Sequence, residues 1–267
     1  MENRIDQKFA ELKAQGKKGF VAYITAGDPN LEATEDIVYR LEAAGADFIE
    51  LGVPFSDPLA DGPTNQMAAE RAIENGTTLD GIFAMVERIR TRSQVPLVFF
   101  SYMNPLVAPG FEATVQRAKE VGIDGVLLVD CSLEEGEPYH EILGKAGLHN
   151  IHLVTPTTPD ERIKLISDQS SGFLYCVSRT GVTGAQQDLQ EEALGLLNRV
   201  HEQSPLPVAL GFGVSTPEQA KTYAEITEAV VVGSFIVKTY HEAGDSDAGR
   251  EAATEKVKAL IDAVKCV

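Results

Sequence analysis

Eight short β-branched apolar runs, separated by longer amphipathic stretches, recur along this chain and constrain its folding more than any other feature. They are GFVAYITA from Gly19, DFIELGVP from Asp47, PLVFFSY from Pro96, DGVLLVD from Asp124, NIHLVTP from Asn150, GFLYCV from Gly172, PVALGFG from Pro207 and EAVVVG from Glu228. Strands this continuously apolar suit a parallel sheet covered on both faces. Between them, segments such as 31–44, 111–121 and 191–201 carry apolar residues at helical spacing. Eight units in 267 residues is roughly 33 residues each, the pitch of a (β/α)8 barrel. The fold expected is α/β, a single (β/α)8 TIM barrel over residues 1–267 with an extra N-terminal helix, and no linker or low-complexity break divides it. An open doubly wound sheet is the alternative, but no GxGxxG follows a strand.

Helix ends repeat one chemistry. Thr158-Pro159-Asp160-Glu161 and Thr216-Pro217-Glu218-Gln219 each offer a Thr cap, a Pro in the first helical position and an acid or amide three residues after the cap, and Asp28-Pro29 is a simpler version. Gly45, Gly122 and Gly147 stand where a helix C-terminus takes a left-handed residue before a strand. Gly122 to Gly147 spans one unit in 25 residues, whereas Gly45 to Gly122 spans two in 77, so extra structure is expected after the second or third strand. Ahead of the first strand, Ile5, Phe9 and Leu12 form a helical stripe suited to plugging the barrel's lower end.

Charge removes several classes of function. The chain has 23 Lys and Arg against 40 Asp and Glu, a net charge of −17, and both duplex nucleic acid and an anionic membrane need a cationic face. No run of about 18 apolar residues is present and the start is polar, so a cytoplasmic protein is expected. Cys131, Cys176 and Cys266 are odd in number and far apart, which indicates neither a disulfide framework nor a metal knuckle.

In such a barrel the chemistry sits at the carboxyl ends of the strands. Glu50, between Ile49 and Leu51 in an apolar strand, is the outlier there. A carboxylate buried without a partner costs several kcal/mol or shifts its pKa upward, which suits a group that gives and takes protons near neutral pH. The alternative is that Glu50 faces the helix layer and is satisfied by an Arg or a backbone donor. The following loop holds Pro54, Pro58, Gly62 and Pro63 and presents Asp57 and Asp61. Asp61 within reach of Glu50 would divide acid and base roles. No metal ligand set is indicated, because none of the five His falls beside these acids, although an all-oxygen Mg²⁺ site stays open. His152 lies within a strand and is expected to be packed or hydrogen-bonded.

A glycine-rich cluster follows strands six to eight: Arg179-Thr180-Gly181-Val182-Thr183-Gly184, Gly211-Phe212-Gly213 and Gly233-Ser234. Backbone N–H groups there, with the helix opening at Ser234, would hold a phosphate while the surface stays acidic. Tyr23, Phe100, Tyr102, Tyr175 and Phe212 stand at strand ends with Leu127, Val129 and Leu153 at similar heights. An apolar slot between an acid pair and a phosphate nest fits a substrate with an aromatic ring at one end and a phosphate at the other.

These residues resemble the tryptophan synthase α subunit family. ELGVPFSDPLADGP from Glu50 to Pro63 is highly specific, and TAGDP at Thr25, SRTGVTG at Ser178, GFG at Gly211 and GSFIVK at Gly233 match in order. The resemblance implies a lyase that cleaves indole-3-glycerol phosphate, by a retro-aldol reaction, into indole and glyceraldehyde 3-phosphate. Glu50 would protonate indole C3 and handle the glycerol hydroxyl proton, while Asp61 would bind the indole N–H and stabilise positive charge. Phosphate would rest on Gly184, Gly213, Gly233 and Ser234, and Tyr23, Phe100, Leu127, Tyr175, Thr183 and Phe212 would shape the indole pocket. The family implies no cofactor in this chain and a pyridoxal-phosphate (PLP) β subunit as partner, usually in an αββα assembly. A stand-alone lyase, or a weakly catalytic regulator of the β subunit, are the alternatives. After the fourth strand the chain reads Asp130-Cys131-Ser132-Leu133, where the family commonly has a proline, and Phe99-Phe100 is bulkier than the aliphatic residues often found there.

Overall fold

A computed structural model describes residues 3–177, 186–211 and 213–267, with the backbone alone for 186–192. Eight parallel strands close into a barrel in chain order: β1 (Gly19–Thr25), β2 (Phe48–Gly52), β3 (Leu97–Ser101), β4 (Gly125–Leu128), β5 (His149–Val154), β6 (Leu174–Val177), β7 (Val208–Gly211) and β8 (Ala229–Val232). Closure is made by β1 against β8, with Gly19 opposite Ala229 and Ala22 opposite Val232, which rules out the open-sheet alternative. Each of the eight apolar runs therefore supplies one strand.

Among the described residues the helices are α1 (Arg4–Ala14), α2 (Leu31–Ala44), α3 (Pro63–Glu74), α4 (Leu79–Arg90), α5 (Met103–Val107), α6 (Phe111–Val121), α7 (Leu133–Ala146), α8 (Asp160–Gln169), α9 (Gln186–Gln203), α10 (Pro217–Ala224), α11 (Ser234–Ala243) and α12 (Asp247–Lys265). The expected extra structure is α3, which precedes α4 after β2, and the short α5 after β3. No described helix is long and apolar enough to cross a membrane.

Gly45, Gly122 and Gly147 end α2, α6 and α7 at φ of 107°, 100° and 72°, the left-handed conformation a side chain would resist. The N-terminal ends are less uniform. Thr216 caps α10 by accepting from Gln219 N–H, with Pro217 in the first turn as expected. Thr158 does not cap α8: its hydroxyl accepts from Thr155 N–H inside the preceding turn, and Pro159 is the cap residue. Nor does Asp28 cap α2, since Asn30 accepts from Ala33 N–H and Asp28 is taken by Arg71. Ser132 caps α7 by accepting from Glu135 N–H at 3.3 Å, so the Asp130-Cys131-Ser132-Leu133 stretch opens a helix.

Two apolar layers result from alternation along the strands. Ile49, Leu51 and Phe99 face outward and pack under the helices. Val21, Phe48, Val98, Leu127, Ile151, Phe173, Ala209, Ala229 and Val231 fill the barrel, and Ile5, Phe9 and Leu12 of α1 complete that cluster from below. Phe9 lies 4.6 Å from Phe48 and 5.7 Å from Phe173 between ring centroids. The barrel's lower end is therefore stoppered, as the apolar stripe of α1 implies.

Candidate active site

Glu50 follows Phe48 by two residues on β2, so it shares the inward face, opposite Tyr23 on β1 and Val98 on β3. That settles its direction against the helix layer. It is 0% exposed, and neither carboxylate oxygen has a hydrogen-bond partner among the described residues. Burial alone pushes its pKa up to about 8, because a charge here would be stripped of water without compensation. Tyr23 and Tyr175 adjoin it closely enough for its charge to bear on both phenols, whose own pKa values burial raises far above the ordinary range.

Above this buried acid opens a cavity of about 480 Å³ lined by Tyr23, Phe100, Tyr175, Asp61, Gly213, Gly233 and Ser234, with Ala60, Gly62, Pro63, Thr64, Asn65, Val214 and Val231. Seven residues expected at the site thus meet around one space. Tyr23 and Phe100 make an edge-on contact at 5.2 Å, and Phe100 and Tyr175 another at 6.4 Å, forming an aromatic row along one wall. Room for Tyr23 comes from Gly52, where a Cβ would stand 2.3 Å from the phenol oxygen. Glu50 itself does not line the cavity. Leu127 does not either: it is fully buried in the filled layer of the barrel, packed with Phe100 and Tyr175. Thr183, Gly184 and Phe212 lie outside the described residues.

Asp61 is held by its loop rather than by a strand. Its N–H donates to Pro58 O at 3.0 Å, and Gln66 Nε2 donates to its carbonyl at 2.9 Å. Oδ2 accepts from the Tyr102 hydroxyl at 2.8 Å. Partial burial raises the Asp61 pKa, while the bonds from Tyr102 and Asn65 pull it down. Asp57 is exposed; its carboxylate accepts from neighbouring Ser56 Oγ at 2.6 Å and its carbonyl from Leu59 N–H at 2.9 Å. Tyr102 and Asn65 were not singled out as site residues by the sequence; Tyr102 was legible as a strand-end aromatic, but its bond to an acid 41 positions away was not.

At the opposite side, Gly213 takes φ of 65°, and Gly233 is the cap residue of α11 with no side-chain bond to the helix. The first bond back along α11 is Val237 N–H to Gly233 O, which leaves the Ser234, Phe235 and Ile236 N–H groups at the helix start without partners inside the helix. Such a helix start favours an anion.

Among the described residues no group of three or more His, Cys, Asp or Glu could hold a metal ion. His152 is packed: its Nδ1 meets Ser170 Oγ at 2.9 Å and its Nε2 meets His140 Nε2 at 3.1 Å. All three cysteines are free.

Comparison with known proteins gives one answer. The family model described as tryptophan synthase alpha chain matches residues 9–265. The tryptophan synthase alpha chain of Geobacter sulfurreducens is 47% identical over 262 residues, covering 98% of this chain and 99% of that one; that of Geotalea daltonii is 45% identical over 262 residues, covering 98% and 97%. Among solved structures, tryptophan synthase subunit alpha from Legionella pneumophila superposes with a TM-score of 0.92 at 35% identity over 100% of both chains. A chain from a structure of the tryptophan synthase a2b2 complex of Pyrococcus furiosus superposes with a TM-score of 0.85 at 38% identity, covering 91% of this chain and 98% of that one.

Proposed function

The chain belongs to the tryptophan synthase alpha chain family, and on that premise we propose how its residues divide the work of the reaction. The activity is the family's α reaction, a carbon–carbon lyase step that splits indole-3-glycerol phosphate into indole and glyceraldehyde 3-phosphate. It passes indole to a β subunit, which carries the PLP; the α reaction itself uses no cofactor.

The observation that carries the assignment is the state of Glu50: inward, fully buried, unpartnered, with its pKa near 8. Such a carboxyl is largely protonated at neutral pH and can give its proton to indole C3. The ring becomes an indolenine with positive charge at nitrogen. Glu50, now a carboxylate, takes the proton from the hydroxyl on the carbon attached to C3. As that oxygen becomes a carbonyl, the carbon–carbon bond breaks and its electron pair returns to the ring, leaving indole and the aldehyde.

Asp61 accepts the indole N–H and stabilises the nitrogen charge, for which it must be ionised. The ring lies against Tyr23, Phe100 and Tyr175, with Leu127 packed behind them; the resemblance adds Thr183 and Phe212 to the residues that would contact it. Phosphate is held by backbone N–H groups of Gly184, Gly213, Gly233 and Ser234, supported here by the unpaired start of α11. Local dipoles let one small phosphate bind despite a net charge of −17.

Glu50→Gln should abolish cleavage while the substrate still binds, since the amide keeps the shape and cannot exchange the proton. Turnover by that variant would remove Glu50 from its role. Asp61→Asn should lose most of kcat; a change in KM alone would overturn charge stabilisation. Mixing with a β subunit should produce co-elution and a faster release of indole.

A further inference from the structure

The Asp61 loop is fastened by one phenol. Tyr102, buried at the end of β3, accepts the Ala60 N–H at 2.9 Å and meets Asp61 Oδ2 at 2.8 Å. An amide can only donate, so the single hydroxyl proton of Tyr102 points to the carboxylate. The phenol ring packs at a tilt against Phe55, near the start of the same loop, with centroids 5.3 Å apart. Its backbone is fixed on both sides, because Ser101 Oγ donates to Tyr102 O at 2.8 Å and Met103 N–H donates to Asp130 Oδ1 at 2.7 Å. The loop's Phe55, Ala60 and Asp61 therefore all register on one rigid side chain that belongs to a different strand.

We propose that Tyr102 is a positioning residue of the lyase reaction: its hydroxyl keeps Asp61 ionised and aimed into the cavity, through a charge-assisted bond that only the carboxylate form receives in full. This rests on the role given to Asp61 above. The groups that bear on Asp61 from the packed elements are Tyr102, Asn65 on α3, Tyr23 on β1 and Tyr175 on β6, and none of them is a cation. Among the described residues, then, neutral donors hold this half-buried carboxylate. Tyr102 is one of them, at 2.8 Å, and Asn65 the second.

Removing the hydroxyl raises the Asp61 pKa, so activity is lost first on the acid side. In Tyr102→Phe, the acid limb of kcat/KM for indole-3-glycerol phosphate should move to higher pH, so that the loss is greater at pH 6 than at pH 8, with the contact with Phe55 kept. An equal loss at both pH values would reduce Tyr102 to a structural role and overturn the proposal. Should Tyr102→Phe fail to fold, 3-fluorotyrosine at position 102 keeps the shape and strengthens the donor; the acid limb should then move to lower pH, and an unmoved limb overturns the proposal. Asp61→Asn separates the two levels. If that variant cleaves normally, the role of Asp61 fails; if it is inactive while the Tyr102 profiles do not move, only the role of Tyr102 fails.

Discussion

Arg71 grips Asp28 through two parallel bonds, Nε to Oδ1 at 2.9 Å and Nη2 to Oδ2 at 2.7 Å. Asp28 follows β1, and Arg71 sits on α3, the helix into which the Asp61 loop runs. The pair therefore ties the far end of that loop to the strand that carries Tyr23. Lysine cannot reproduce the fork, so Arg71→Lys should lower stability by about 1–2 kcal/mol in urea unfolding and raise KM several-fold. Unchanged values for both would show that the helix is held without the pair.

On the role proposed for Glu50, activity and stability oppose each other. Its folded pKa of about 8 lies above the ordinary value of 4.5, so between those limits the folded chain binds more protons than the unfolded one. Stability from this group is present below pH 4.5 and is lost as pH rises towards 8. Glu50→Gln should be more stable than the parent by on the order of 2 kcal/mol or more at pH 8 and nearly equal at pH 4.5. Denaturant melts at the two pH values check this, and an equal difference at both would contradict the burial argument.

The histidine pair on α7 and β5 responds to acid. Ser170 Oγ donates to Ile166 O at 2.6 Å, so it must accept from His152 Nδ1–H. His152 Nε2 is then the acceptor for His140 Nε2–H. A proton on His152 would set two N–H groups face to face, and burial with the neighbouring His140 brings its pKa down to about 4. The contribution is complete above pH 6.5 and is lost as pH falls towards 4. Thermal scans of His152→Gln should show a flatter decline over that range than the parent; parallel curves would count against the pair.

Packing below the site gives a fourth expectation. Phe9 contacts both Phe48 and Phe173 inside the barrel, and Phe9→Ala should cost about 3–5 kcal/mol. A loss below 1 kcal/mol in equilibrium unfolding would mean that α1 is not part of the cooperative core.

Period and composition made the barrel legible, because each strand is an apolar run and three helix ends carry a glycine that no other residue replaces without strain. Glu50 was legible for a related reason: one acid in such a run has no bland place to go. Caps were less legible, since Thr158 and Asp28 look like Thr216 but are recruited by Thr155 and Arg71. The depth of Leu127 depends on the stagger of the barrel, which no single strand contains. The bond from Tyr102 to Asp61 and the place of Asn65 at the cavity arise only when β3, α3 and the loop are brought together.

Because Ile5, Phe9 and Leu12 close the lower end of the filled barrel, the cavity lined by Asp61, Tyr23 and Ser234 lies at the opposite end. On the proposed function, substrate would enter and products would leave on the side away from that seal. On the role proposed for Asp61, a partner seated at that end would meet the loop that bears it.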